Sequence, residues 1–209
     1  MERRAYYDAE PWYQREKTQD WYQQMEKTNE GMREVLGEYL TRRTAVLEVA
    51  CGGGWLAEFI LSAGVKSYSG FDYSETAVKN ARSRLGNFEE AKLRRADALL
   101  PEVYSKKYDL IVSHQFLHCL IGKDRARWLA NCRSALHPEG VLVFSSIIGV
   151  PPDLAEQVDA VSKQNKPGNR YYASEEEIRS EIAAAGMELE HTTHPEEHSA
   201  IFVVSPNIP

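Results

Sequence analysis

The chain has 209 residues, of which 43% are hydrophobic and 27% are charged, and its net charge is −6. This length and composition predict one globular domain with a substantial core. Binding to a nucleic-acid backbone needs a basic face, so the acidic balance predicts no nucleic-acid partner. No apolar run approaches the ~20 residues that cross a membrane, and the first residues do not resemble a signal peptide. We therefore expect a cytoplasmic protein without a membrane partner.

The first zone, residues 1–43, is polar and rich in aromatic residues, and four of these recur at helical spacing: Trp12, Tyr13, Trp21 and Tyr22. Such a stripe usually packs an accessory helix against a core. Its rings could also cover a binding site, because an aromatic face attracts a cation. We expect a mixture of both roles, in a helical cover that precedes the rest of the domain.

A glycine-rich turn follows the first apolar run. Residues 45–50 read as a strand, Gly52–Gly54 as a tight turn, and Trp55–Leu61 as a helix. Glycine permits positive φ and has no Cβ, so the main chain and the helix N-terminus can approach a small ligand. Trp55 stands where a phosphate-binding loop needs lysine, and no glycine follows three positions on as in dinucleotide-binding turns.

An acidic residue ends the next predicted strand, residues 68–72. Asp72 follows Gly54 by 18 residues, close to the ~20-residue spacing at which a carboxylate accepts ribose hydroxyl groups. Ser74 is the expected N-cap of a helix over residues 75–85. Alone, Asp72 would more simply begin that helix. After the glycine turn, ribose binding is the favoured interpretation.

The rest of the chain continues the alternation of strand and helix. Lys107–Ser113 predicts a fourth strand, and residues 136–140 a turn into a fifth strand over 141–144. A helix over residues 174–185 should end at Gly186, and two closing strands, 187–194 and 199–205, should form a hairpin. Alternating strands and helices predict a parallel sheet with helices on both faces.

These motifs, in this order, resemble the class I S-adenosylmethionine (SAM) dependent methyltransferases over about residues 44–205. Glu48 stands at the acidic position before the turn, Ala50 replaces the first glycine, and Asp97 matches the acid after the third strand. The resemblance implies a single Rossmann-like domain over residues 1–209. Its seven-stranded sheet should be mostly parallel with an antiparallel last strand, and its core, residues 44–209, should carry an N-terminal helical lid, residues 1–43.

The resemblance also implies SAM as cofactor, with S-adenosylhomocysteine (SAH) as its product. Asp72 would then bind the ribose, and Asp97 the adenine amino group. The full set of expected cofactor contacts is Glu48, Ala50, Gly52, Gly54, Asp72, Tyr73, Asp97, Ala98 and Ser113.

Methyl transfer from a sulfonium needs positioning of the acceptor and handling of its proton. His118 lies just past the fourth strand, and imidazole is suited to proton transfer near neutral pH, so it is the first candidate base and His114 the second. The alternatives are a packing role for His118 and catalysis without any base. Arg170 and Tyr172 precede the last helix and could reach the acceptor, together with Tyr7, Trp12 and Tyr13. An arginine there would suit a carboxylate or phosphate, although many such arginines lie on the surface.

The favoured function is methylation of a nitrogen, oxygen or sulfur atom on a small-molecule acceptor, by a monomer or homodimer. Neither a basic groove nor an Asn/Asp-Pro-Pro-aromatic motif after the fourth strand is present, which disfavours a protein or RNA acceptor. A non-catalytic SAM-binding module that serves a partner enzyme is the alternative outside enzymes. The three cysteines lack metal-ligand spacing, so we expect reduced thiols and no metal.

Overall fold

The structure is a computed structural model, and it describes residues 25–158 and 170–207. One mixed sheet contains the seven strands β1 to β7. Their bounds are Ala45–Val49, Ser67–Asp72, Ala91–Arg95, Tyr108–Ser113, Leu136–Ile147, Met187–Glu196 and Ser199–Pro206. The helices α1 to α5 are Glu26–Gly37, Trp55–Ser62, Glu75–Arg84, Lys123–Ala135 and Glu175–Ala184. Short 3₁₀ turns cover Pro101–Tyr104, Leu117–Cys119 and Pro152–Gln157.

The strands lie in the order β3-β2-β1-β4-β5-β7-β6. The first five are mutually parallel, while β7 runs antiparallel to both β5 and β6. The predicted fold class, including the antiparallel last strand and the closing hairpin, is confirmed. From β1, the next two strands are added on one side, out to β3. The chain then crosses back, and β4 is added on the other side of β1. Ligands in open sheets of this kind bind where the strand order reverses, which here is between β1 and β4.

Alternate residues of the strands supply two separate cores, because successive side chains of a strand point to opposite faces. On one face Val46 and Leu110 pack with α1 and α2. On the other face Leu47 and Ile111 pack with α4 and α5. Helices therefore cover both faces, as the alternation of elements predicted.

The predicted helix ends are confirmed. The Ser74 hydroxyl accepts a hydrogen bond from the Ala77 N–H at 3.0 Å and caps α3. Ser174 and Glu177 form a reciprocal capping box at the start of α5, and Gly186 follows its end at φ +72°. At each of these N-termini, a side chain from the local sequence satisfies an orphan main-chain N–H group.

The predicted turn at residues 136–140 is wrong in one respect, because β5 already begins at Leu136. Leu136 pairs with Tyr108 of β4, and the next pair is Val141 with Leu110, so the residues between them bulge out of the ladder. A Cβ on Gly140 would lie 2.9 Å from the Tyr108 carbonyl oxygen. Glycine is needed there because the bulge brings the two backbones together.

The N-terminal zone is described only from residue 25, where α1 packs its buried residues Met32 and Leu36 on the sheet. Tyr7, Trp12 and Tyr13 lie outside the described residues, so the lid stays a prediction. Within the described ranges, no helix is both long enough and apolar enough to cross a membrane.

Candidate cofactor and acceptor site

The glycine turn follows β1, and three of its residues have a left-handed backbone conformation. Ala50 has φ +56°, Gly52 has φ +53° and Gly54 has φ +80°. A Cβ on Gly54 would lie 3.2 Å from the Ala81 main chain, so this glycine lets α2 begin against α3. Gly52 is only partly buried at the edge of the sheet. The turn therefore offers main-chain atoms to a ligand beside the reversal of strand order.

Asp72 fixes this turn to the end of β2. One carboxylate oxygen accepts a hydrogen bond from the Gly52 N–H at 3.0 Å, and the other accepts from the Ser74 N–H at 2.9 Å. Asp72 is 5% exposed. Each carboxylate oxygen can accept more than one hydrogen bond, so the role of Asp72 in the turn is compatible with a contact to ribose hydroxyl groups. The predicted ribose contact stays a prediction, and the role in the turn is one that sequence analysis missed.

Ala50 occupies a conformation that costs an L-residue about 1–2 kcal/mol. Ala50→Gly should relieve this strain, but glycine loses more conformational entropy on folding and so offsets part of the gain. The free energy of unfolding should therefore rise by about 1 kcal/mol at most. Chemical denaturation measures the change. The matched control is Ala63→Gly at the end of α2, where φ is −72°, and where glycine should destabilise the protein. A destabilised Ala50→Gly variant would contradict the left-handed assignment.

Glu48 lies beneath the turn, 2% exposed, and accepts a hydrogen bond from the Tyr68 hydroxyl at 2.7 Å. Burial raises the pKa of Glu48 to about 8, which the Tyr68 hydrogen bond opposes and the Asp72 charge reinforces. Tyr68 reaches across Gly70, where a Cβ would lie 2.5 Å from its hydroxyl oxygen. Glu48 is therefore a mostly neutral acid whose hydrogen bond to Tyr68 joins β1 to β2. Its contact to the cofactor stays a prediction.

The residues expected to face the adenine lie after β3. One Asp97 carboxylate oxygen accepts from the Leu99 N–H at 2.8 Å, which closes a short turn. The Ala98 carbonyl accepts from the Tyr104 hydroxyl and from the Asn131 side chain. Asp97 is partly exposed at the same edge as the glycine turn, in keeping with its predicted role. Tyr73, also partly exposed, has Arg95 stacked near its ring at 5.7 Å.

Ser113 ends β4 and His114 follows it, and both side chains are hydrogen-bonded within the protein. The Ser113 hydroxyl donates to the Val49 carbonyl at 3.0 Å and joins β4 to β1. His114 Nε2 lies 2.8 Å from Asn29 Oδ1 of α1, and its Nδ1 lies 2.7 Å from Ser145 Oγ of β5. Burial, with a smaller contribution from Arg33, lowers the pKa of His114 to about 4. A neutral imidazole with both nitrogens occupied joins α1 to the sheet. The cofactor role of Ser113 and the base role of His114 stay predictions.

His118 lies in the 3₁₀ turn after β4 and is 3% exposed. Its Nδ1 accepts a long hydrogen bond, 3.5 Å, from the Ile147 N–H. Burial, and then the positive charges of Arg170 and Arg125, lower the pKa of His118 well below its usual value. His118 is therefore neutral at pH 7, which is the form that a base requires.

A buried arginine holds the His118 turn in place. Arg125, 1% exposed, donates to the Leu117 carbonyl at 2.8 Å and makes two 2.7 Å hydrogen bonds to the Glu181 carboxylate. Two parallel bonds of this kind fix geometry as well as charge. Sequence analysis missed Arg125, as it missed Asn29 and Ser145, because no local pattern marks their distant partners.

Arg170 and Tyr172 lie next to this turn, and their acceptor-binding role stays a prediction. The Tyr171 N–H between them donates to the His118 carbonyl oxygen at 2.7 Å. The structure thus brings the expected cofactor residues and the described acceptor residues to one edge of the sheet, and their contacts to a ligand stay predictions.

The methyltransferase-domain family profile matches residues 47–142, which run from β1 into β5 and include the glycine turn, Asp72, Asp97 and His118. Over these residues, which are just under half of the chain, the sequence carries a class I SAM-dependent methyltransferase domain. A probable SAM-dependent methyltransferase of Mycobacterium tuberculosis is 33% identical over 101 residues, which cover 48% of this chain and 35% of the relative. A ubiquinone biosynthesis O-methyltransferase of Thiobacillus denitrificans is 33% identical over 106 residues, 49% of this chain and 44% of the relative.

Two further methyltransferases resemble this chain, one in part of its sequence and the other in its fold. The ribosomal protein L11 methyltransferase of Ruminiclostridium cellulolyticum is 32% identical over 90 residues, 42% of this chain and 28% of that protein. The chain thus spans less than half the length of these methyltransferases. The structure of DhpI with SAH superimposes with a TM-score of 0.75 at 16% identity, over 98% of this chain and 95% of that one. At this identity the likeness concerns the methyltransferase fold.

Proposed function

We propose that this protein binds SAM and transfers its methyl group to a nitrogen, oxygen or sulfur atom of a small-molecule acceptor. One observation carries the proposal: a left-handed glycine turn, fixed by Asp72, lies where the strand order reverses. The turn keeps side chains away from the ligand, and the role of Asp72 in the turn is compatible with a contact to ribose hydroxyl groups. These residues fit a nucleoside cofactor.

The cofactor would supply an activated, electrophilic methyl group. Gly52 and Gly54 would let the main chain approach it, Asp72 would accept from its ribose, and Asp97 would accept from its adenine amino group. His118, neutral and close to the strand reversal, would take or orient the acceptor proton. Arg125 and Glu181 would keep the His118 turn in position. The chain itself would therefore contribute positioning and proton handling.

Calorimetry with SAM and SAH is the first test, followed by labelled SAM with a panel of amines, phenols and thiols. We expect binding of both ligands and turnover of at least one acceptor class. Failure to bind either ligand at millimolar concentration would contradict the whole proposal. Binding without any turnover would favour a non-catalytic SAM-binding module instead.

Protein methylation is the second candidate function, and the similarity to an L11 methyltransferase favours it. Labelled SAM with ribosomal protein L11 as the acceptor tests this directly. Transfer to L11 alone, with no small molecule methylated, would replace the first proposal with the second.

His118→Ala should lower kcat by about 10²–10⁴-fold, the usual contribution of a positioned base, while SAH affinity stays nearly unchanged. A base acts in its neutral form and loses activity below its pKa. The pKa of His118 lies well below 6.5, so the wild-type rate should not fall from pH 8 to pH 6 through its protonation. His194→Ala, on the exposed part of β6, is the control. A wild-type rate for His118→Ala at every pH would show that the enzyme works by positioning alone.

A further inference from the structure

The short segment Arg170–Ala173 is fixed between two loops at the edge of the sheet. The Tyr171 N–H donates to the His118 carbonyl oxygen at 2.7 Å, and the Ala173 carbonyl accepts from the Gly149 N–H at 2.8 Å. The first contact reaches the loop after β4, and the second reaches the loop after β5. The side chains of this segment are therefore held next to the proposed acceptor site.

The two tyrosines of this segment have different surroundings. The Tyr171 ring centre lies 5.1 Å from the Arg125 guanidinium carbon, and its hydroxyl donates to Glu177 at 3.3 Å. The Tyr172 hydroxyl instead interacts with the Arg170 guanidinium, by charge and by a side-chain hydrogen bond. The side chains of Arg170 and Tyr172 therefore lie together.

The Tyr172 hydroxyl is buried without a hydrogen-bond partner of acceptable geometry, although Tyr172 is 1% exposed. The Arg170 guanidinium can only donate, so the hydroxyl hydrogen is the part left without an acceptor, and a buried donor without a partner is costly. Burial raises the pKa of Tyr172, and the charge and side-chain hydrogen bond of the Arg170 guanidinium oppose this rise. The hydroxyl thus stays protonated and is available to donate a hydrogen bond.

The Arg170 guanidinium is the charged group with the largest effect on this hydroxyl. The Arg170 guanidinium acts on His118, Cys119 and Tyr172, and it shifts the pKa of each in the direction that a nearby cation causes. Two carboxylates also act here, Asp153 on Tyr172 and Asp72 on Cys119. A ligand here meets an unsatisfied donor and a cation side by side.

We propose that the Tyr172 hydroxyl and the Arg170 guanidinium bind an oxyanion of the methyl acceptor, a carboxylate or a phosphoryl group. The inference rests on the proposed function, and it names the acceptor class: a small molecule that carries an anionic group beside its methylated atom. A hydroxyl donor next to a guanidinium satisfies two oxygens of such a group, and charge-assisted hydrogen bonds are the stronger kind.

Binding of three fluorinated probes, followed by ¹⁹F NMR, tests the proposal without a known acceptor. The probes are 4-fluorobenzoate, 4-fluorophenylphosphonate and the neutral 4-fluorobenzamide, each titrated into the full-length protein with and without SAH. We expect at least one anion to bind about tenfold more tightly than the amide, in line with one charge-assisted hydrogen bond. The preference between benzoate and phosphonate then tells a carboxylate from a phosphoryl acceptor.

Tyr172→Phe and Arg170→Gln should each reduce the preference for the anion over the amide by about tenfold, while the SAH affinity stays unchanged. Tyr171→Phe and Arg179→Gln are the matched controls, since Tyr171 faces Arg125 and Arg179 pairs with Glu175 on exposed α5. The proposal is overturned if neither anion exceeds the amide, or if both site variants keep the preference. If the wild-type protein does not bind SAH, the result contradicts the proposed function but not the oxyanion site. The titrations without SAH still test that site.

Discussion

Gly52→Val should reduce SAH affinity by more than about 100-fold while the fold is retained. Gly52 has φ +53°, a region that a β-branched residue strongly disfavours, and its N–H donates to Asp72. A valine there would rotate the backbone out of this conformation, break the contact to Asp72 and place a branched side chain at the ligand edge. Calorimetry with SAH measures the affinity, and circular dichroism checks the fold.

Gly64→Val is the matched control, because Gly64 also has a left-handed backbone, φ +71°, and a Cβ at this position would meet no neighbouring atom within 4 Å. It lies just after α2, away from the site. Both variants incur similar backbone strain, so both should lose stability, but only Gly52→Val should lose SAH binding. A folded Gly52→Val protein with wild-type affinity would show that the turn does not contact the cofactor.

Glu48→Gln should raise the free energy of unfolding by about 4 kcal/mol at pH 8 and by only about 1 kcal/mol at pH 5. Folding raises the pKa of Glu48 from its usual 4.5 to about 8. Between these values the folded protein binds a proton that the unfolded chain releases, so stability falls as the pH rises. Glutamine cannot ionise, and its amide oxygen can still accept from Tyr68.

The buried histidines act in the opposite direction. The pKa of His114 falls to about 4 in the folded protein, so below pH 6.5 the unfolded chain takes up a proton that the folded protein does not. Stability therefore falls as the pH drops from about 6.5 towards 4, and His118 adds to this effect. Wild-type stability should peak near pH 6.5, whereas Glu48→Gln should reach a plateau above it.

Urea denaturation at several pH values measures both curves. Glu188→Gln on β6 is the control, because Glu188 is exposed and should change stability little at any pH. A wild-type plateau above pH 6.5, or the same decline in Glu48→Gln, would contradict a neutral Glu48 in the folded protein.

Much of the fold could be predicted because its signals are local. The change from strand to glycine turn to helix at residues 45–61 rests on side-chain period and backbone freedom, which neighbouring residues determine. The caps at Ser74 and Ser174 and the stop at Gly186 follow from hydrogen bonds within a single turn. For the same reason, the positions of Asp72 and Asp97 at strand ends could be predicted from their spacing.

The bulge at residues 137–140 shows where local signals mislead. Proline and glycine there predict a turn, and the backbone does leave the ladder. Leu136 nevertheless pairs with Tyr108 before the bulge, because β4 lies alongside and its backbone groups need partners. Only the neighbouring strand decided where β5 begins.

The order of elements, the glycine turn and the acids at the strand ends could be predicted from the sequence, since short-range periodicity and backbone conformation specify them. The role of each polar side chain depends on contacts that form only in the folded protein. Glu48 meets Tyr68 across Gly70, and His114 lies between Asn29 and Ser145. These partners come from separate elements, so no local pattern predicts them. They lie together because the sheet and its helices bury them, and burial obliges each polar group to find a partner.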